Sequence, residues 1–541
     1  MEQIPTEEQD GAQGELRVLQ PSAGQNDGGL DGRANRPLSV KERIRRSGKT
    51  KVQTHTDRHH TEIKEAPFRW REIFQPAVPG VGGLESTRFL AKWLIFGAVI
   101  GISSGSAAVL LSLSIDFATN LLLGNIVGYF PPQARGEGFT QFIPITHLWF
   151  LPLVTIFGGL LSGLLVFTFA PDAEGHGTDA VIDAIHYNNG NIQARVPLVK
   201  LIASAITMGS GGSSGREGPV AQIGAGLASV IGRFFLSMPV DRRIAVTIGM
   251  GAGIGAIFKA PFGGALLAAE ILYLRDIEIE VFIPAIIAST VGYTVYGLFF
   301  GFTPIFGNLS IPPIQSPVQF VYYAVLGVCA GVVGITYTSS FYGINGLFRR
   351  IKLPRWIKPA IGGLIVGFIG LLFPQILGIS YGWVQLFMDG KFLLTMPLWV
   401  LFFLPFAKIF ATGLSLGSGG SGGTHGPGMV IGAFLGAFLW SSMHTLPFMP
   451  QQPAAFVVVG MMALFGAVAH TPIAVMVMLA EMTGSLSLLA PAMIALSISL
   501  TIVGNHTIFR SQILNRMHSP LHNAGMRTSE QNAKGNVESR T

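Results

Sequence analysis

Glu217 stands in the stretch Gly-Arg-Glu-Gly-Pro, directly after a Gly/Ser run at 209–215 and just before an apolar segment. A carboxylate at a helix start inside an apolar domain is costly unless paired, and it faces the positive end of the helix dipole. An ionised Glu217 can therefore take the place of a mobile anion; protonated or swung aside, it leaves that place free. The rival reading is a structural glutamate paired with Arg216 or Lys200. A second Gly/Ser run at 417–423 leads into Thr424-His425-Gly426-Pro427, so His425 occupies the place of Glu217. A third Gly-framed stretch, Gly175-His176-Gly177-Thr178-Asp179, adds polar side chains of the same character.

Proline is at home in a first helical turn, where its missing N–H has no intrahelical partner, so Pro219 and Pro427 mark two helix starts. Glycines without Cβ let the preceding loops expose their N–H groups, and two such ends make a place for an anion without a full positive charge. Three other readings compete. Glycine runs also permit close packing of membrane helices. A nucleotide loop would need a Lys-Ser/Thr ending after a β-strand, and neither run has it. Gly211 to Gly215 and Gly419 to Gly423 both fit G-x-S-x-G, which keeps an intramembrane serine protease using Ser213 or Ser421 as a remote alternative.

The elements that position these residues follow from charge and hydropathy. Residues 73–514 hold only 34 of the chain's 65 charged side chains, too few to coat a soluble surface. Apolar segments recur near 89–115, 148–170, 196–209, 219–236, 244–257, 261–274, 281–301, 318–346, 356–373, 395–415, 427–441, 453–469, 472–481 and 486–509. That predicts a polytopic all-α membrane domain over 73–515, with several half-helices broken by Gly and Pro. The net charge of +7 reflects topology rather than nucleic-acid binding. Lys and Arg crowd into 41–51 and into 349–358, whereas the 120–147 loop carries only Arg135 and Glu137. Both termini are thus expected in the cytoplasm and the 120–147 loop outside, with the cell (inner) membrane as the expected location. Residues 1–72 read as a polar, mostly disordered basic tail and 516–541 as a short cytoplasmic tail without a regulatory domain pair. The single Cys329 and the tail histidines His55, His59 and His60 give no metal site to argue from.

The chain also repeats itself. Residues 209–232 match 417–440 at 12 of 24 positions, and 249–270 runs against 460–481 at nearly the same offset. Two halves, about 85–305 and 315–515, follow, an arrangement in which transporters place the substrate site between repeats.

At these residues the sequence resembles the CLC family of chloride channels and proton/chloride exchangers. The likeness covers about 85–520 and rests on G-H-G-T-D (175–179), G-S-S-G-R-E-G-P (212–219), G-G-T-H-G-P (422–427) and T-I-F-R-S-Q-I-L (507–514). It implies the CLC-type fold of two inverted repeats with tilted, broken helices, and a homodimer with one anion pathway per subunit in the bilayer. It implies that Glu217 is the gate, with Gly215, Arg216, Glu217 and Gly218 around the outer anion position. Thr424, His425, His176 and Phe509 then surround the central one, with chloride as the bound ion and no metal or other cofactor.

Four positions depart from that family's pattern. His176 replaces the usual serine, Phe509 the usual tyrosine, and His425 the aromatic residue of the third motif. Glu270 matches the first acid of a pair whose second member, the inner proton-transfer glutamate of many exchangers, is here Ile271. Glu270 and its repeat mate Glu481 read as structural acids. Phe509 offers no O–H donor, so central anion binding rests on backbone dipoles and on His176, whose imidazole adds charge when protonated. Ile271 cannot carry a proton, so the expectation leans to a pH-sensitive, voltage-gated-type chloride channel. The alternative is a proton/chloride antiporter that relays protons through His176, His425 or water.

Overall fold

The computed structural model describes residues 87–312 and 314–520. The basic tail and most of the C-terminal tail discussed above lie outside the described residues. The first repeat opens with α1 (Thr87–Thr119), which runs on as a π-helical segment, Asn120–Val127, and ends at Gly128 with φ +71°. It continues through α2 (Phe150–Phe169), a two-residue strand β1 (Gly175–His176), α3 (Gly177–Tyr187), α4 (Arg195–Gly209) and α5 (Glu217–Phe235). It closes with α6 (Pro239–Ile257), α7 (Pro261–Glu270) and α8 (Ile279–Phe300).

The second repeat begins with α9 (Val318–Arg350) and α10 (Lys358–Leu372), followed by the short α11 (Tyr381–Phe387) and α12 (Gly390–Leu393). Then come α13 (Leu398–Gly417), strand β2 (Ser421–Gly422), α14 (His425–Met443), α15 (Ala454–Val468), α16 (Pro472–Thr483) and α17 (Leu489–Val503). The apolar segments of the sequence thus become helices. Helices also form where no apolar segment is expected, over 177–187 and within 381–393, and α6 starts at Pro239, five residues before the apolar run at 244. The expected single segment 486–509 ends at Val503, before Gly504 (φ +62°).

Among the described residues, seven helices are long and apolar enough to cross a ~30 Å hydrocarbon core. Others are too short to do so alone, such as α7 with 10 residues and α16 with 12. All 15 residues of α15 are buried, as expected of a helix that is apolar on every side. Conversely Leu94, Phe117, Phe157, Leu298, Phe299 and Trp399 are exposed apolar side chains, which only lipid or protein can cover at low cost. The protein is an integral, multi-pass, all-α membrane protein.

The duplication is a property of the backbone, too. Gly211 and Gly419, 208 residues apart, both take positive φ, +97° and +109°, a conformation glycine adopts without a Cβ penalty. Lys259 and His470, 211 residues apart, share φ +53° in the turns before α7 and α16. Glu270 accepts N–H bonds from Ile473 and Ala474 (3.3 and 2.8 Å), at the start of α16. Glu481 returns the arrangement on α7, accepting from Phe262 and Gly263 (3.2 and 2.7 Å). Each acid thereby caps the other repeat's helix, satisfying N–H groups that have no intrahelical acceptor.

Candidate anion site between the repeats

The starts of α5 and α14 meet head to head. Gly215 N–H donates to Gly423 C=O (2.9 Å) and Gly423 N–H to Ser214 Oγ (2.9 Å), which ties the two glycine runs together. A Cβ on Gly423 would lie 2.7 Å from Gly218 N and 2.8 Å from Gly215 O, so this approach needs glycine. Inverted repeats bring equivalent ends together in this way. First-turn N–H groups of both helices therefore point into one buried volume.

Glu217 is fully buried there. Its Oε1 accepts a bond from Tyr381 Oη (2.5 Å) and its Oε2 accepts from Gly426 N–H (3.2 Å), across the repeat interface. Neither cation weighed as its structural partner is bonded to it. Arg216 forms an ion pair with Glu137 and reaches Ile257 C=O (3.4 Å). Lys200 donates to the carbonyls of Ala173 and Gly175 (3.1 and 2.7 Å). The carboxylate thus occupies a place built from a helix N-terminus and a hydroxyl, the donors that an anion would use. On the side of Arg216 a cleft opens, lined among others by Asp116, Glu137, Lys259, Tyr296 and Tyr381.

Below Glu217 lies a second polar group set in aromatic walls. The His425 ring stands 5.1 Å from the Phe509 ring and 4.9 Å from Phe465. His176 also meets this set, 5.9 Å from Phe509 and 5.4 Å from Phe341. Phe509, fully buried, thus touches two imidazoles. Among the described residues His176 Nδ1, both ring nitrogens of His425, and the hydroxyls of Thr178 and Thr424 are buried without a protein partner. Buried polar atoms are rarely left so unless water or a ligand meets them. His176 is only half-buried, at the end of this set that β1 forms by pairing in parallel with β2, Gly175 against Ser421 and His176 against Gly422. Ile271 is fully buried, and its carbonyl accepts a bond from Gln512 (3.0 Å).

The serines of the protease reading have other work. Ser213 Oγ shares a hydrogen bond with Thr412 Oγ1 (3.0 Å), and Ser421 Oγ shares one with Ser204 Oγ (3.0 Å) and donates to Ala173 C=O (3.0 Å). Thr412 and Ser204 are themselves repeat mates, and none of these bonds involves an imidazole among the described residues. Ser213→Ala and Ser421→Ala should each cost only about 1 kcal/mol of stability and leave anion flux within about twofold of the parent, measured in proteoliposomes.

Two side chains that the sequence reading did not single out belong to the site. Tyr381 sits at the first residue of α11, and Lys408 of α13, fully buried, donates to Ile376 C=O, Gly378 C=O and Ser380 Oγ (2.9, 2.9 and 2.8 Å). A signal existed: Pro171-Asp-Ala-Glu-Gly175 and Pro374-Gln-Ile-Leu-Gly378 share their proline and glycine, and each is followed by a lone lysine in an apolar helix.

Paired helix ends, inverted repeats and a buried carboxylate at their meeting point define an anion-handling membrane protein. The comparisons with known proteins agree. The family model described as voltage gated chloride channel matches residues 158–504. A relative from Ralstonia nicotianae, named as a ClcB-like chloride channel protein, is 32% identical over 352 residues, covering 64% of this chain and 81% of that one. The H(+)/Cl(-) exchange transporter ClcA of Yersinia pestis is 30% identical over 419 residues, covering 74% and 82%. Two solved structures share the fold. A slow cyanobacterial Cl-/H+ antiporter has a TM-score of 0.67 at 21% identity, covering 77% of this chain and 96% of that one. A CLC-type fluoride/proton antiporter has a TM-score of 0.64 at 20% identity, covering 80% and 99%. The chain belongs to the voltage-gated chloride channel family, the CLC family.

Proposed function

We propose that this protein exchanges a chloride-class anion for protons across the membrane, with Glu217 taking in turn the anion's place and the proton. The observation that carries this reading is the bond from Gly426 N–H to Glu217 Oε2, which puts the carboxylate where two repeat-related helix ends would hold an anion. Its protonation would free that place, so the two substrates exclude each other there. The relatives named as H(+)/Cl(-) exchange transporters support exchange over the channel toward which residue 271 leans.

A passive, pH-sensitive channel is the second reading, favoured by the buried, proton-inert Ile271. In the exchange reading the proton needs another carrier between Glu217 and the far side. His425 and His176, both against Phe509 and with His176 Nδ1 and both ring nitrogens of His425 unpartnered, supply that carrier together with water.

The proposal includes an orientation. Glu174, beside the His176 loop, lies within the electrostatic reach of Arg349, Arg355 and Lys358, so the His176 end belongs to the basic, cytoplasmic side. The Arg216 cleft, lined by 131–134 of the charge-poor loop, belongs outside. A homodimer with one pathway per subunit, and bound chloride as the only ligand besides protons and lipid, complete it.

Chloride efflux from proteoliposomes, recorded with a chloride electrode, tests transport itself: flux that stops when chloride is replaced by a large organic anion supports the reading, and no flux above empty vesicles contradicts it. His176→Ser should change the chloride/nitrate permeability ratio by about threefold or more, since one charge-assisted donor is worth roughly 1 kcal/mol or more. Equal ratios would reduce His176 to a residue of the mouth.

A further inference from the structure

The loops Pro171–Thr178 and Pro374–Tyr381 are the same structure in the two repeats. Each leaves its helix at a proline turn, Pro171–Ala173 or Pro374–Ile376, and each has a positive-φ glycine, Gly175 (+66°) or Gly378 (+60°). Each is held by one buried lysine, and the lysines stand 208 residues apart. Lys200 bonds the carbonyls of Ala173 and Gly175, and Lys408 bonds those of Ile376 and Gly378. The corresponding carbonyls are 203 residues apart in both cases. In the first repeat the loop delivers His176 beside Phe509. In the second it delivers the Tyr381 hydroxyl, three residues after Gly378, to the other end of the site.

The placement of Tyr381 is enforced. Ser380 adopts φ +71°, uncommon for a residue with a side chain, while its Oγ accepts from Lys408 Nζ. The ring is buried, edge-on to Phe306 (5.8 Å) and beneath the Arg216 guanidinium (5.9 Å). A Cβ on Gly426 would lie 3.2 Å from Tyr381 Oη and 2.8 Å from Glu217 Oε2, so the hydroxyl, the carboxylate and the α14 start share one small volume.

We infer that the Tyr381 hydroxyl is the movable donor of the outer anion position: it holds the Glu217 carboxylate there and turns to the anion when Glu217 leaves. A hydroxyl can rotate its one O–H between acceptors at no cost in charge. The hydroxyl that Phe509 lacks at the central position is thus present at the outer one. This inference rests on the proposed transport reading for the anion's identity, and its test reads binding as well as flux.

The test is calorimetric titration of chloride into the detergent-solubilised full chain over a range of pH, for the parent, Tyr381→Phe, Glu217→Gln and the double variant. In the parent, acid should tighten chloride binding as Glu217 protonates. Tyr381→Phe removes a hydrogen bond to the ionised carboxylate, which moves the midpoint of that tightening to less acidic pH by about one unit. In the Glu217→Gln background the step disappears, and Tyr381→Phe should still weaken chloride binding about fivefold. The other groups facing Glu217 stay constant across the four proteins: Arg216, Glu137 and Asp116, Lys259 and Tyr296, Lys408 of α13, and His425 of α14. A thermal melt of Tyr381→Phe close to the parent's excludes a folding effect. An unchanged midpoint, or unchanged affinity in the double variant, overturns the inference. Tyr381-dependent binding in a protein that passes no chloride overturns the transport reading instead and leaves the inference standing.

Discussion

Glu217→Gln should abolish proton movement and flatten the response of anion flux to outer pH, while anion flux itself continues. The glutamine keeps the size of the side chain, but its neutral amide is a weaker acceptor for Tyr381 Oη and Gly426 N–H, whose bonds the glutamate accepts at 2.5 and 3.2 Å, so it yields both donors to an anion. It has no proton to take up and no charge to compete with an anion. Proton flux should therefore fall by about 100-fold or more, the size expected when the acid–base group of a pathway is removed. pH-stat recording of proteoliposomes during chloride efflux measures it. Retained proton coupling would take Glu217 out of the exchange step, and a pH response like the parent's would take it out of the gate.

The second large effect is expected from Lys200→Met. Lys200 is fully buried, and its ammonium is bonded to two carbonyls, not to a carboxylate. Removing it relieves the cost of a buried charge, which by itself would stabilise. Against that, Gly175 loses its lysine donor in the loop that positions His176, at about 1–3 kcal/mol for an unmet carbonyl, while Ala173 keeps only the bond from Ser421 Oγ. The losses win, because Gly175 (φ +66°) and the β1–β2 pairing leave the loop little freedom to find other donors. A net loss near 2 kcal/mol, seen as a thermal unfolding midpoint lower by about 2 °C, is the expected result. Lys408→Met should behave alike, and the two should add, since they act on separate loops. A midpoint equal to the parent's would mean that the loops hold themselves.

Much of this site was legible in the sequence because its chemistry is made by the backbone. Gly/Ser runs ending in Pro219 and Pro427 mark helix starts whatever surrounds them, and a glutamate among so few charges draws notice by its cost. The repeat offset then paired the two starts. Side-chain partnerships were less legible. Arg216 is paired with Glu137, 79 residues earlier, and no local spacing announces a bond across that distance. Tyr381 lies 164 residues from Glu217, in a stretch whose short helix has only 7 residues and no hydropathic period to read. The lean toward a channel rested on a single side chain, Ile271. The structure instead offers two imidazoles whose joint position around Phe509 depends on α14, β1 and the C-terminal segment meeting in space.

The central claim is exchange of an anion for protons. Its most direct test is proton movement in chloride-loaded proteoliposomes, with the membrane potential clamped by potassium and valinomycin and no initial pH difference. Exchange predicts that chloride leaving the vesicles drives protons inward against the gradient that builds, and that the reversal potential shifts with pH. A reversal potential fixed at the chloride equilibrium value, with no uphill proton movement, would contradict it.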